Sequence, residues 1–150
     1  MLVCALVVCA CSGQPSSGIT YATYTYACCS ENTGNLTWRA GQHVTLHWQA
    51  KAGRQTADAI TNPIVLSAVL TGPFSTVDAL KQATGQCQKP SGVRIITAAP
   101  VSVNDRTVAT PASELELPSD LPPGYYNLET NATEAGQSSG GSSIVVVAAA

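Results

Sequence analysis

Several groups of residues have types and spacings that suit catalysis, metal binding or ligand contact. Gly136-Gln137-Ser138-Ser139-Gly140 matches G-x-S-x-G, the pattern of a serine nucleophile. That chemistry needs a strand, a sharp turn holding the serine, and then a helix, with the catalytic histidine later in the chain. Here the run leads into the apolar stretch Ile144 to Val147, and both histidines, His43 and His47, come before the serine. The run is expected to be a flexible hairpin loop and not a catalytic elbow. The two histidines are four residues apart. On a helix that spacing makes one metal-binding face. On a strand it separates the Cα atoms by about 13 Å, too far for one zinc with Zn–N bonds of roughly 2.1 Å. The segment alternates like a strand, so both histidines are expected to face solvent. Glu114 and Glu116 fall on one side of a strand, whereas acids that cleave a glycosidic bond flank it from two sides. No catalytic, cofactor or metal site is expected.

Cysteine chemistry points elsewhere. Cys4, Cys9 and Cys11 lie in or beside an apolar leader, leaving Cys28, Cys29 and Cys87. In an oxidising compartment two of these should pair. Adjacent cysteines bridge each other only with distortion, so Cys87 is expected to pair with Cys28 or with Cys29. Such a crosslink is typically worth about 2–4 kcal/mol. A soft-metal site would draw on the same thiols, but no C-x-x-C spacing supports it. Two sequons, Asn35-Leu36-Thr37 and Asn131-Ala132-Thr133, mark glycosylation candidates in a eukaryotic secretory pathway. Tyr21, Tyr24 and Tyr26 are candidate glycan contacts, because aromatic side chains suit half-wet surfaces. As strand residues, Tyr24 and Tyr26 share one side and Tyr21 takes the other.

The elements that must position these groups read as strands. From His43 to Ala50, Val44, Leu46, Trp48 and Ala50 fall on one face; His43, Thr45, His47 and Gln49 fall on the other. That period of two defines a half-buried strand. Further strands are expected at 19–27, 64–70, 93–97, 101–108, 113–117, 125–130 and 143–148. Leu66 and Leu70, Leu115 and Leu117, and Val146 are their expected core residues. Ser75 to Gly85 differs: a capping hydroxyl, helix formers and a terminal glycine predict one short helix. Pro122-Pro123-Gly124 is a turn, and Tyr125 or Tyr126 after it fits a tyrosine corner. The predicted fold is all-β: an immunoglobulin or fibronectin III-like antiparallel sandwich of about seven strands, with one short loop helix.

Composition sets the compartment. Charged residues are 11% of the chain, against roughly 25% in an average soluble domain. The seven Lys and Arg are scattered singly and the net charge is −2, so nucleic-acid binding, which needs clustered cations, is not expected. Leu2 to Ala10 is too short to span a bilayer and matches the apolar part of an export signal. Residues 1–18 are read as signal peptide and short linker, and 19–150 as one domain. Val8-Cys9-Ala10-Cys11 also looks loosely like a lipobox, which makes lipid attachment at Cys11 the alternative. The apolar end, Ile144 to Ala150, is too short for a lipid-anchor signal and reads as a final strand.

Leu36-Thr37-Trp38-Arg39-Ala40-Gly41-Gln42 is followed by Val44-Thr45-Leu46-His47-Trp48. An apolar strand then ends in Leu70-Thr71-Gly72-Pro73, and Pro118-Ser119-Asp120-Leu121-Pro122-Pro123-Gly124-Tyr125-Tyr126 comes later. This order resembles the extracellular immunoglobulin-like domain of fungal Ser/Thr-rich, often lipid-anchored cell-wall proteins, the yeast Knh-like group. Its W-x-A-G, T-x-x-W and P-x-x-L-x-x-G-x-Y motifs are structural, and the match covers roughly residues 36 to 147. The Tyr-rich strand and the Cys28-Cys29 pair lie in front of it. The resemblance implies a secreted surface role without catalysis, in wall assembly or adhesion. Cell-wall polysaccharide (β-glucan or chitin) or other surface proteins are the expected partners, and a carbohydrate-binding module is the alternative reading.

Overall fold

The structure is a computed structural model that describes residues 25–28, 36–51, 63–85, 91–103 and 111–149. Their order is β1 (Thr25–Cys28), β2 (Leu36–Arg39), β3 (His43–Lys51), β4 (Ile64–Phe74), α1 (Val77–Thr84), β5 (Arg94–Thr97), β6 (Val101–Val103), β7 (Ala112–Glu116), β8 (Gly124–Glu134) and β9 (Gln137–Ala148). Nine strands and one short helix make the described part mostly β. β1, β3 and β7 form a three-stranded sheet. The larger sheet runs β2-β9-β8-β4-β5, with β6 also on β4. The two sheets pack in a sandwich-like arrangement.

Alternation builds the core. β3 turns Val44, Leu46 and Trp48 inward and β7 adds Leu115, with Leu117 just beyond it. Ile64, Leu66, Ala68 and Leu70 of β4 face them, along with Tyr126 and Leu128 of β8 and Val145 and Val147 of β9. Period-two burial against a second sheet is what holds each register, since a one-residue slip would turn these side chains to solvent. The only core residue of β9 read from sequence, Val146, is half-buried on the opposite face. Its strand neighbours Val145 and Val147, 0% and 1% exposed, take the inward positions. Ile144 to Val147 is apolar throughout, so composition alone does not mark which parity faces in.

Two polar contacts, one buried and one part-buried, pin the sandwich. Trp48, 1% exposed, donates from Nε1 to Ser113 Oγ at 2.9 Å. Tyr126 donates from its hydroxyl to the Pro122 carbonyl, four residues upstream, at 2.7 Å. Its ring lies over Gly72, where an added Cβ would fall 2.5 Å from Tyr126 Cδ1. The sequence motifs around these residues meet as well: Gly41 N donates to the Pro118 carbonyl at 3.1 Å and Leu117 N to the Gln42 carbonyl at 3.0 Å. On the surface, Arg94 of β5 makes a bidentate pair with Asp120, both contacts at 2.8 Å. The hydrogen bond from Arg94 holds the Asp120 carboxyl below the usual carboxylate range.

Three expectations about the elements need correction. β2 is a strand where the sequence shows only a motif. It pairs with β9 in parallel, so the fold is not purely antiparallel; two strands this far apart in sequence are not bound to the hairpin orientation. Finally, Gln137 to Gly140 is no loop. It is the first third of β9, paired residue for residue with Glu134 back to Asn131 of β8. Only Ala135 and Gly136 turn the chain, both at positive φ (49° and 80°), which matches the twist of a tight hairpin.

Candidate functional site

The site begins with the one helix. Thr76 Oγ1 accepts from Ala79 N at 3.1 Å, satisfying a donor that the first turn leaves open. At the other end the Lys81 carbonyl accepts from Gly85 N at 3.1 Å and from Thr84 Oγ1 at 3.0 Å. Leu80 is the helix's buried residue, and α1 packs against β4 and β8. This docks the C-terminal turn, with Lys81, Thr84 and Gly85, over the outer face of the larger sheet.

Beneath it, β8 sends every second residue outward. Asn127, Glu129 and Asn131 form a row, with Cα atoms about 6.6 Å apart at the usual strand rise. On β9 the residues opposite are Ile144, Ser142 and Gly140; on β4 they are Thr71, Val69 and Ser67. Helix end and strands enclose an open groove of about 560 Å³. It is lined by Lys81, Thr84, Asn127, Glu129, Asn131 and Ser142, with three glycines, Gly85, Gly140 and Gly141. Among the described residues no lining side chain is apolar.

Asn127 is only 3% exposed. Its Nδ2 donates to Glu129 Oε1 at 2.9 Å. At that exposure Asn127 offers the groove little surface of its own and acts by holding the Glu129 carboxylate in place. Asn131 lies against β9 because position 140 has no side chain: a Cβ there would collide with Asn131 Oδ1 and the Thr130 carbonyl. Glycine thus lowers the β9 wall and lets Asn131 line the groove. Among the described lining residues, one ammonium and one carboxylate balance each other.

The other candidates fall into separate places. His43 and His47 are exposed on the outer face of the smaller sheet, and His43 Nε2 lies 3.8 Å from Glu116 Oε1. Thr45 Oγ1 donates to Glu114, 3.0 Å from both oxygens. These pairs are solvated cross-strand contacts of modest worth. Ser138, the serine of G-x-S-x-G, is the second residue of β9, paired with Thr133 and with its Oγ 2.6 Å from Thr133 Oγ1, a position that gives no nucleophile elbow. Among the described residues no group of three or more His, Cys, Asp or Glu is placed to hold a metal ion. No described helix is long and apolar enough to cross a membrane.

Tyr21, Tyr24, Cys29, Asn35 and Cys87 lie outside the described residues. Tyr26 and Cys28 are described through their backbone, which pairs with Ala50 and Trp48. Asn131, singled out as a glycosylation candidate, is the one predicted site residue among those described that lines the groove. Sequence reasoning missed Asn127, Glu129 and Lys81. Their signal was present as polar alternation along 127–133 opposite the apolar Tyr126, Leu128 and Ala132, beside a capped helix. Set against known proteins, the chain matches no family model and no curated sequence.

Proposed function

We propose that this chain is a secreted, non-catalytic surface module, an immunoglobulin or fibronectin III-type sandwich with a structural or adhesive role at a cell surface or wall. The observation that carries this reading is the hydrogen bond from the Tyr126 hydroxyl to the Pro122 carbonyl. A tyrosine at the entry to a late strand, bonded back to backbone a few residues upstream, is the tyrosine corner of such sandwiches. The buried Trp48 supports the same fold type. The resemblance to fungal wall domains agrees with it, since the residues of those motifs serve the scaffold: Trp38 is buried, Gly41 bonds to Pro118 and Tyr126 closes the corner.

In this reading residues 1–18 direct export. Cys87 pairs with Cys28 or Cys29 in the oxidising compartment, and Asn35 and Asn131 are sequons open to glycosylation. The partners are wall polysaccharide or other surface proteins. A carbohydrate-binding module is the second reading, favoured by the polar groove under α1. Expression of the full chain in bacterial and yeast secretory hosts, followed by mass analysis of cell and medium fractions, tests the proposal. Release of a chain shortened at its amino terminus is expected. Retention of the intact chain in the cytosol of both hosts would overturn it.

A further inference from the structure

The groove between the end of α1 and strands β8 and β9 carries one step more. We infer that it is a binding site for a neutral glycan, held by hydrogen bonds between the side chains of Lys81, Glu129 and Asn131 and sugar hydroxyls. The inference rests on the surface-module reading for the compartment in which such a glycan is met; the groove itself stands on geometry.

Each alternative ligand class meets a specific obstacle. A peptide gains its affinity from apolar anchors in pockets or from a sheet edge, and among the described residues this lining has no apolar side chain. An anion such as phosphate wants several converging cations, whereas Lys81 shares the groove with Glu129. A divalent cation wants several oxygen ligands, carboxylates foremost; among the described residues the lining has one carboxylate, and an ammonium opposes the metal. A neutral polyol meets none of these obstacles. Its hydroxyls donate and accept, and so does the carboxamide of Asn131, while Glu129 accepts and Lys81 donates. Lys81 and Glu129 are exposed and Asn131 is half-buried, so these are the side chains a ligand in the groove reaches; the buried Asn127 positions Glu129 through its hydrogen bond. The volume, about 560 Å³, lies within the usual range of small-ligand sites, roughly 300–1,000 Å³. The open, glycine-lowered β9 side leaves room for a chain to enter and leave. With hydrogen bonds alone, affinity should be weak, with Kd on the order of 1 mM.

Two sources supply this chemistry: a free polymer, or an N-linked glycan on Asn131, which itself lines the groove. The test is amide-resolved NMR of the full chain made in bacteria, titrated with cellohexaose, laminarihexaose and chitohexaose, with hexagalacturonate as the anionic control. Saturable shifts confined to Asn127, Glu129, Asn131, Gly140 and Gly141 with a neutral hexaose are expected. Lys81→Ala and Glu129→Gln, both at exposed side chains, should each raise Kd about fivefold without moving the melting temperature. The chain from a eukaryotic host, trimmed to its first sugar, provides the second arm. If Asn131 is modified, the same amides should be shifted before titration and should no longer respond to hexaose. No response to any neutral hexaose together with an unmodified Asn131, or tighter binding of the galacturonate, would overturn the inference. Binding indifferent to both variants would do the same. An exported chain with an inert groove would sink this inference alone, and a responsive groove in a chain that is never exported would sink only the surface reading.

Discussion

The two faces of β8 belong to different environments, though they alternate along one strand. Tyr126, Leu128 and Ala132 are 0%, 1% and 5% exposed in a core closed by the second sheet. Asn127, Glu129 and Asn131 look the other way, onto a groove roofed by one helical turn. The inner face has a single requirement, apolar bulk in the right register, and many sequences meet it. The outer face combines a buried carboxamide with polar neighbours that do little for stability. Burial of apolar area holds the fold; the polar row contributes least to that, and it is the row to which the proposed glycan binding assigns recognition. Their separation on one strand means that each can be altered while the other is read as a control.

Tyr126 offers the sharpest break within the inner face, because it adds one polar bond to an apolar surface. Tyr126→Phe keeps the ring over Gly72 and leaves the Pro122 carbonyl without its donor. A loss of about 1–2 kcal/mol is expected in denaturant unfolding. Burial raises the Tyr126 hydroxyl above its ordinary value of 10.0, with Arg94 pulling the other way. A raised folded value means that the stabilisation is complete below pH 10 and is lost as pH climbs through the shifted value. Wild type should therefore lose stability relative to Tyr126→Phe above pH 10. A constant difference between them from pH 7 to 11 would show that this hydroxyl is not held as described.

A smaller effect of opposite sign is expected at the hairpin joining the two groove strands. Ala135 sits at φ 49°, a conformation that costs an L-residue roughly 1–2 kcal/mol. Asparagine tolerates it and, followed by Gly136, makes the favoured two-residue turn. Ala135→Asn should raise stability by about 0.5–1 kcal/mol in thermal unfolding, and should leave groove binding unchanged. A lower melting temperature would mean that the β8–β9 turn has another geometry.

How much of this was legible in sequence follows from the same contrast. β3 and β7 alternate apolar and polar residues, so the period of two is enough to turn Leu46, Trp48, Leu115 and Leu117 inward. α1 carried its caps in Thr76 and Gly85. β2 was hidden because four residues, Leu36 to Arg39, are too few for a period to show. The start of β9 was hidden by composition: Ser and Gly suggest a loop, and only pairing with β8 makes that stretch a strand. Val146 was assigned inward because a continuous apolar run has no phase. The groove needed two segments about 45 residues apart, the end of α1 and the middle of β8, to meet. Neither segment announces the other, and a polar row on a strand ordinarily means solvent.

The most direct measurement takes the adjacent pair Glu129→Gln and Leu128→Ala, each read for both unfolding free energy and Kd for the neutral hexaose. Leu128→Ala should cost about 2–5 kcal/mol of stability while the folded fraction binds as wild type does. Glu129→Gln, at an exposed side chain, should change stability by no more than about 1 kcal/mol and raise Kd about fivefold. A groove variant that binds like wild type, or a core variant that loses binding in step with stability, would contradict the assignment of recognition to the outer face of β8.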